Sequence, residues 1–364
     1  MTSPIKNEYR PDRVSIPGET LQEVLDERDM TQADLAERTG RAKKTINEII
    51  KGKAPITADT ALQFERVLGV PAGFWTNLER NYQDFVARQQ EGELLRANTD
   101  WLRELPVRFL EKEGWIEQRS AKPEKVRELL GFFGVASPAE WRQVFAVPQA
   151  SFRHSVAFQS DSGALAAWLR AGELAAQQIR CREFDGERFQ RALRSARELT
   201  TTGPDEFVPR LTELCAGVGV AVVFVREVPR SRASGATRWI SPSKALIQLS
   251  LRYKTDDHLW FTFFHEAGHI LLHGKRLVFI EQGKASTGRE EEANRFAADL
   301  LIPPEALAEL RPVVEARRLS RERVRSFARE LGISPGIVVG RLQHEGWLPH
   351  SYLNGLKLRL EWAD

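Results

Sequence analysis

The chain has 364 residues, of which 42% are hydrophobic and 28% charged; this balance excludes a disordered protein and leaves room for two or three domains. Its formal net charge of +3 is too small to indicate nucleic-acid binding by itself. The only two cysteines, Cys181 and Cys215, stand far apart, which argues against a disulfide framework. The N-terminal residues lack the apolar core of a signal peptide, and no uncharged apolar run is long enough for a membrane helix. We therefore expect a cytoplasmic protein with no membrane partner.

The first ninety residues predict short helices separated by turns. Residues 20–28 have helical spacing, and Thr31 is placed to cap a second helix that starts at Gln32. A tight turn at residues 39–41 leads into a third helix at residues 42–50. Two short helices joined by a turn that contains glycine form a helix-turn-helix.

Two more helices follow in this region. One starts after Thr57 and ends before Gly69, and another begins at Pro71. The apolar residues of this last helix are expected in the core, namely Phe74, Trp75 and Leu78.

Positive charge in this region is concentrated on one element. Residues 1–90 hold 13 lysines and arginines against 14 acidic residues, yet residues 38–53 contain six basic residues and a single acid. A DNA-recognition helix needs cations that neutralise phosphates and short polar side chains that reach base edges. The third helix supplies both, as Lys43, Lys44, Thr45 and Asn47. The competing interpretation is an ordinary solvated helix face.

The sequence of this region resembles a known family of regulators. The stretch TQADLAERTGRAKKTINEIIKGKAPITADTALQFERVLGVPAGFW is similar to the Cro/cI-type helix-turn-helix, and most of all to the HigA branch of antitoxin regulators, over roughly residues 15–85. Members of that family bind operator DNA as dimers through the second helix of the motif, so the resemblance implies operator DNA and a second copy of this chain as partners. Gln32 matches a position that often touches DNA in such proteins. The DNA-binding candidates are Gln32, Arg41, Lys43, Lys44, Thr45 and Asn47.

Residues 91–200 contain no sequence pattern that is typical of a catalytic or metal-binding site. Their alternation of apolar and charged residues at helical spacing predicts a mostly helical connector. The aromatic residues of this region are compatible with a ligand-binding box, but core packing is the simpler interpretation. These residues are Trp115, Phe132, Phe133, Trp141 and Trp168.

A small β-sheet is predicted in the last third of the chain. Residues 219–225 form an apolar, β-branched run typical of a buried strand, and residues 237–240 and 245–250 are two further strand candidates. One of these strands is a candidate to hold an extended peptide chain by backbone pairing at the sheet edge.

The stretch LWFTFFHEAGHILLHG at residues 259–274 contains His265-Glu266-Ala267-Gly268-His269, an H-E-x-x-H pattern. On a helix, two histidines four positions apart lie on one face, one turn from each other, which is metal-ligand geometry. Apolar residues recur on almost every side, so the helix is expected to be buried, and three ionisable groups inside it require a reason. A zinc ion is the obvious reason.

Zinc needs a third protein ligand if one coordination position is to stay open for water. His273 is the nearest candidate, but eight residues of helix separate it from His265 by about 12 Å along the axis, too far for joint coordination. We therefore expect His273 in a supporting position around the ligands, or at the helix end, where a cation is favourable.

A helix predicted between residue 286 and the prolines at 303 and 304 offers a better third ligand. At roughly 100° per residue, Glu290 lies about 50° from the centre of its apolar stripe, whereas Glu291 and Glu292 lie more than about 100° away. Asn294 shares the face of Glu290 and is a candidate hydrogen-bond partner of the metal ligands. The competing interpretation is a capping box between Thr287 and Glu290 without a metal.

The surroundings of the motif carry a second resemblance. HEAGHILLHG and the downstream pattern E-x-E-A-N-x-F-A-x-x-L-L-x-P are similar to the ImmA/IrrE family of metallopeptidases over roughly residues 200–345. The resemblance implies Zn²⁺ bound by His265, His269 and Glu290, with Glu266 as the general base of peptide-bond hydrolysis. Stand-alone members cut a helix-turn-helix repressor, so the implied protein substrate is this chain itself or a partner regulator.

Two function classes stay open at the level of sequence. The first is a DNA-binding transcriptional regulator that carries a zinc-dependent endopeptidase, with Tyr253 and His273 as candidates for stabilising the oxyanion. The second is a non-proteolytic, antitoxin-type repressor whose zinc domain is a sensor or interaction module. The intact Glu266 favours the enzyme.

Residues 319–342 predict two more helices around a turn. A second DNA-binding motif is one interpretation, but the second of these helices is apolar rather than basic, which favours a helical cap. The sequence thus predicts a mainly α multidomain protein. Its parts are an all-α helix-turn-helix domain at 1–90, a helical connector at 91–200, and an α+β, zincin-like metallopeptidase domain with a small β-sheet at 201–364.

Overall fold

The computed structural model describes residues 14–146, 161–273, 279–281, 288–316 and 318–363. The chain divides into two compact units, Met1–Thr99 and Asp100–Asp364. The residues expected to form a connector, 91–200, are therefore shared between these two units. Helices dominate both units, which confirms the predicted mainly α multidomain class.

The first unit contains five helices within its described residues: α1 (Pro17–Glu27), α2 (Gln32–Thr39), α3 (Lys43–Ile50), α4 (Ala58–Leu68) and α5 (Ala72–Ala97). Thr31 caps α2 as predicted, in a capping box with Asp34. Gly40 and Gly69 terminate α2 and α4 with φ of +68°, a left-handed conformation that glycine adopts without strain.

The apolar faces of these helices meet in one core. Leu21, Leu35, Ile46 and Phe64 are fully buried in it. At Gly18, α1 approaches α3 so closely that an added Cβ would lie 2.3 Å from the backbone oxygen of Ile49. The absence of a side chain at Gly18 therefore allows α1 to pack directly against the backbone of α3.

The start of α5 corrects one expectation from the sequence. Trp75 is fully buried, with its ring centroid 5.5 Å from that of Phe64. Phe74 was expected in the core as well, and this was wrong, since it is 45% exposed. Successive residues on a helix point about 100° apart, so inward placement of Trp75 turns its neighbour outward.

The second unit begins with a helical region that consists of α6 (Val107–Lys112), α7 (Lys122–Phe133), α8 (Pro138–Trp141), α9 (Ser162–Gln178), α10 (Gly186–Glu198) and α11 (Pro204–Ala216). Its large aromatic residues pack into the core, as predicted. Phe133 and Trp141 are 2% exposed and Trp168 is fully buried. Core packing is thus the correct interpretation of these side chains.

Within the described residues, the sheet has four strands, β1 (Val220–Phe224), β2 (Gly235–Ser241), β3 (Lys244–Leu249) and β4 (Phe279–Glu281), in the order β1-β3-β2-β4. β1 runs parallel to β3, whereas β2 is antiparallel to both of its neighbours. The three strands predicted before the motif are confirmed, and β4 was not predicted. β4 covers the edge of β2 at residues 235–237.

The motif lies on α12 (Asp256–Leu272), which contacts both β2 and β3. The helices that follow are α13 (Gly288–Leu301), α14 (Pro304–Glu315), α15 (Arg321–Leu331) and α16 (Pro335–His344). α12 packs against α13 and α16, and α16 buries Val338, Val339 and Leu342 completely in the same core. Among the residues that the structure describes, no helix is both long and apolar enough to cross a membrane.

Candidate metal centre and nucleic-acid surface

α12 holds its two histidines side by side in the core. His265 and His269 are 1% and 2% exposed, and their Nε2 atoms lie 3.0 Å apart. The apolar residues that recur around α12 explain this burial, because Trp260, Phe263 and Phe264 bury the helix from several sides. The one-turn spacing of the histidines brings the two rings together on one face.

α13 adds a carboxylate to this pair. Glu290 Oε2 lies 3.2 Å from His265 Nε2, and Glu290 Oε1 lies 3.5 Å from His269 Nε2. The two helices approach closely at Gly268, where an added Cβ would lie 3.3 Å from the Ala293 Cα atom. Glu290 thus faces the imidazoles as the helical phase predicted. Thr287, the partner in the alternative capping box, lies outside the described residues.

These three side chains fit a zinc ion by their chemistry and spacing. Their ligand atoms all lie within 4.8 Å of one another. Zinc–nitrogen distances of 2.0–2.1 Å in a tetrahedron place two ligand atoms about 3.3 Å apart, close to the separations seen between the rings and the carboxylate. Two imidazoles and one carboxylate also leave the fourth position of a tetrahedral ion open, as in catalytic sites.

The protonation states of the cluster suit a cation. Burial raises the pKa of Glu290, but hydrogen bonds from the rings of His265 and His269 outweigh burial and hold that pKa at about 2. Burial lowers the pKa of His269, and Glu290 only partly offsets this. At neutral pH, Glu290 is therefore ionised and His269 is neutral, which are the forms that coordinate a metal.

The Nδ1 atom of each histidine ring contacts another polar side chain. Asn294 Oδ1 lies 2.9 Å from His265 Nδ1, and His273 Nδ1 lies 3.1 Å from His269 Nδ1. His273 terminates α12, and its Nε2 lies 3.1 Å from Glu292 Oε2. Because each Nδ1 has an outer partner, each Nε2 is turned toward Glu290.

Glu266 lies in the same helical turn and is fully buried. Its backbone oxygen accepts a hydrogen bond from the Thr237 hydroxyl on β2, at 3.2 Å. An added Cβ at Gly235 would lie 2.8 Å from Glu266 Oε1 and 2.4 Å from Thr262 Cγ2. Because Gly235, the first residue of β2, has no side chain, the Glu266 carboxylate can occupy the space beside it.

The first unit presents a different kind of site on α3. Lys43 and Lys44 are exposed, whereas Thr45 and Asn47 are half-buried. The side chain of Asn47 donates to Gln32 Oε1 at 3.2 Å, and Gln32 in turn donates to Gln22 Oε1 at 2.9 Å. This network ties α1, α2 and α3 together and orients Asn47.

Arg41 stands apart from the lysines. Its Nη2 lies 2.5 Å from Asp59 Oδ2, and its Nε donates to Gln63 Oε1 at 2.5 Å. The guanidinium thus ties the turn between α2 and α3 to α4. Arg41 is thus half-buried and ion-paired, whereas Lys43 is exposed.

Comparisons with known proteins agree with the geometry of the first unit. Residues 21–75 match the family described as Helix-turn-helix. The chain is 36% identical over 76 residues to Virulence-associated protein I of Dichelobacter nodosus, a match that covers 21% of this chain and 70% of that protein. It is 32% identical over 63 residues to the HTH-type transcriptional regulator YddM of Escherichia coli K12, covering 17% of this chain and 67% of that protein. The chain belongs to the helix-turn-helix family.

This helix-turn-helix regulator also carries a second module. Residues 222–343 match the M78 peptidase family, described as the IrrE N-terminal-like domain, so the module is metallopeptidase-like.

The chain is also similar to a solved antitoxin structure. The Pseudomonas aeruginosa antitoxin HigA with the higBA promoter is 34% identical; the match covers 22% of this chain and 89% of that chain, with a TM-score of 0.22.

Three residues that shape these sites in the helix-turn-helix protein were missed by sequence reasoning. Glu292 reaches His273 although the helical phase turns it away from the apolar stripe, so the pattern contained no signal for it. Gly235 and Gly18 carry a weaker signal, because a glycine at the start of a strand or helix often marks a close approach of backbone to another group.

Proposed function

We propose that this protein is a DNA-binding regulator whose second unit is a zinc-dependent endopeptidase. Its substrate is a regulator protein, either this chain itself or a partner helix-turn-helix repressor. The observation that carries the proposal is the convergence of His265, His269 and Glu290 beside the buried Glu266. A glutamate in the motif between two metal-binding histidines is the arrangement used for hydrolysis assisted by a metal.

In this proposal, His265, His269 and Glu290 hold the zinc ion. When bound, zinc supplies Lewis acidity, which polarises a peptide carbonyl and makes a water molecule acidic near neutral pH. Asn294 and His273 keep the imidazole rings in the orientation that exposes Nε2, through contacts of 2.9 Å and 3.1 Å.

Glu266 moves the proton. Its carboxylate accepts a proton from the water that attacks the peptide carbonyl and then delivers this proton to the leaving nitrogen. The fixed backbone of α12, bonded to β2 through Thr237, keeps the carboxylate within one helical turn of both histidines. Complete burial of Glu266 strengthens these interactions, because a site without bulk water screens charges weakly.

In the first unit, we propose that α3 enters the major groove of operator DNA, with two copies of the chain on one operator. Lys43 and Lys44 contact phosphates, because both are exposed and lie at the start of the helix. Thr45 and Asn47 reach base edges. Gln32 holds the Asn47 side chain in place and so sets its direction.

The decisive experiment replaces Glu266 with Gln in the full-length protein. The zinc-loaded wild type, Glu266→Gln and the exposed matched control Glu291→Gln are each incubated alone and with purified helix-turn-helix repressors. We expect Glu266→Gln to keep its zinc and to lose cleavage by about 10²–10⁴-fold, because general acid–base catalysis contributes that much. Intact-mass spectrometry follows cleavage, and metal analysis follows zinc.

Two results separate the competing functions. Cleavage that persists in Glu266→Gln contradicts the role given to this carboxylate. The other result is a zinc-loaded wild type that cuts neither itself nor any repressor and that represses transcription from its operator as strongly as Glu266→Gln does. This result favours the non-proteolytic repressor instead.

A further inference from the structure

Four polar side chains of the first unit, which we name the amide relay, are connected by successive hydrogen bonds. Asp26 and Gln22 lie on α1, Gln32 begins α2, and Asn47 lies on α3. The Gln22 side-chain nitrogen donates to Asp26 Oδ1 at 2.7 Å. The Gln32 nitrogen donates to Gln22 Oε1 at 2.9 Å, and the Asn47 nitrogen donates to Gln32 Oε1 at 3.2 Å. The relay therefore leads from a carboxylate on α1 to the helix that is proposed to enter the DNA.

The direction of these hydrogen bonds is set at Asp26. A carboxylate only accepts hydrogen bonds, whereas an amide can turn either its oxygen or its nitrogen toward a neighbour. Gln22 must therefore present its nitrogen to Asp26, which leaves its oxygen for Gln32. In the same way, the Gln32 oxygen is left for Asn47. Because a hydrogen bond to an ionised acceptor is stronger than one between neutral groups, Asp26 imposes this direction on the bonds that follow.

Asn47 is left with one donor and one acceptor. Its amide has two N–H groups and one oxygen, and Gln32 accepts from one of the N–H groups. The side chain makes no other hydrogen bond to the part of the chain that the structure describes. Asn47 is half-buried and lies one helical turn after the exposed Lys43, so both residues belong to the same side of α3. The second N–H and the oxygen are the atoms that can reach a base.

The two purines present different edges in the major groove. Adenine offers an acceptor, N7, and a donor, the N6 amino group, whereas guanine offers two acceptors, N7 and O6. One donor and one acceptor on Asn47 match adenine. If the relay ran in the opposite direction, the Asn47 oxygen would accept from Gln32, and two donors would remain, which match guanine. The direction of the relay therefore decides which purine Asn47 can read.

We infer that Asp26, acting through the amide relay, makes Asn47 select adenine in the operator. Asp26, Gln22 and Gln32 are positioning residues, which orient the amide that touches the base. The inference rests on the proposed operator binding, since it names the base that the same helix recognises. A relay that only held the three helices together would affect stability and leave the base preference unchanged.

The first experiment locates the base that Asn47 reads. Full-length wild type and Asn47→Ala each select binding sites from random DNA, and the selected sequences are compared position by position. At one position of each half-site, we expect the wild type to prefer adenine over guanine by at least about fivefold and Asn47→Ala to lose this preference. Preferences at the other positions should remain. Another base preferred by the wild type at this position, or no position that depends on Asn47, would overturn the inference.

Two substitutions of Asp26 then test the direction of the relay. Asp26→Ala removes the fixed acceptor, so the adenine preference at this position should fall several-fold. Asp26→Lys places an ammonium group there, which only donates, so the relay should reverse and the preference should shift toward guanine. The measurement is the ratio of affinities, by fluorescence anisotropy, for two operators that differ only in adenine or guanine at this position.

Glu23 provides matched controls, because it is an exposed acidic residue on the same helix. Glu23→Ala and Glu23→Lys make the same changes of charge and should keep the adenine preference. Added positive charge strengthens binding to both operators alike, so it cancels in the ratio. Thermal unfolding verifies that each variant is folded.

The outcomes separate this inference from the proposed function. A wild-type adenine preference that weakens in Asp26→Ala and turns toward guanine in Asp26→Lys, but not in the Glu23 variants, supports the relay. An adenine preference as strong in both folded Asp26 variants as in the wild type overturns the inference and leaves operator binding standing. A wild type that binds all DNA sequences equally contradicts the proposed operator binding itself.

Discussion

The side chain of Lys44 on α3 is 85% exposed, whereas His265 on α12 is 1% exposed. The two candidate sites differ in the same way throughout. The candidate DNA-binding surface consists of charges projected into solvent from one short helix. The candidate metal centre consists of side chains that two consecutive helices, α12 and α13, bring together inside the core.

This difference determines what each site depends on. Attraction between exposed lysines and phosphates depends on the number of charges and is screened by salt. Coordination at the metal centre depends on the position of every ligand and is much less sensitive to ionic strength. Substitutions of the exposed lysines on α3 should therefore leave the fold intact and act through salt-dependent binding, whereas substitutions around α12 should act through geometry.

The largest expected effect comes from removing the third ligand. Glu290→Ala should lose stoichiometric zinc, because two neutral imidazoles remain without a carboxylate to complete the set. The loss of zinc affinity should exceed the factor of about 10–100 that is typical when only an outer partner is removed. Zinc content after gel filtration and competition with a chromogenic chelator measure the effect.

Glu291→Ala is the matched control for this change, since the exposed neighbour on α13 carries the same charge. It should bind zinc as the wild type does. Unchanged zinc affinity in Glu290→Ala, or equal losses in both variants, would show that the carboxylate near the histidines is not a ligand.

A smaller effect is expected when the ligands are kept and Glu266 is displaced. In Gly235→Ala the new Cβ meets Glu266 Oε1 and Thr262 Cγ2, and the backbone of β2 is held by pairing of Gly235 with both Leu249 and Glu281. The carboxylate must therefore shift. We expect cleavage of a repressor substrate to fall by about 100-fold, the loss that a displacement of about 1 Å can cause.

Zinc content and thermal stability make this prediction specific. Gly235→Ala should retain zinc, because the three atoms nearest to the new Cβ belong to Thr262 and Glu266 rather than to the three ligands. Gly131→Ala, where an added Cβ meets nothing within 4 Å, is the control and should cleave normally. Loss of zinc or of folding in Gly235→Ala would instead assign the glycine to packing.

Local sequence patterns were sufficient to predict most helices and three of the four strands that the structure describes. Thr31 and Gly69 define the ends of α2 and α4 through cap geometry, which depends only on neighbouring residues. β4 was missed because it has only three residues, and pairing across the sheet rather than local propensity defines such a short strand. Phe74 was placed wrongly because an apolar residue at the edge of a helical stripe has no unique direction.

The metal centre shows the same limit at the level of single side chains. Helical periodicity distinguished Glu290 from Glu291, because both lie on one helix of known phase. The contact of Glu292 with His273 and the space beside Gly235 depend on how α12 packs against α13 and β2, which a single sequence does not contain. Similarly, the ion pair of Arg41 with Asp59 was not predicted, because it requires the fold of α4 against the turn.

The smallest effect is expected from substitutions of the exposed lysines on α3. The double variant Lys43→Ala/Lys44→Ala should weaken binding to an operator fragment, selected by the wild type from random DNA, by roughly tenfold at moderate salt. The slope of log affinity against log salt should fall by about 2 for each copy bound to the operator, because each copy loses two phosphate contacts. Zinc content and thermal stability should not change, since both lysines are exposed. Arg80→Ala/Arg88→Ala removes the same charge from exposed positions on α5; an equal loss of DNA affinity in this control would mean that overall charge, rather than α3, binds the operator.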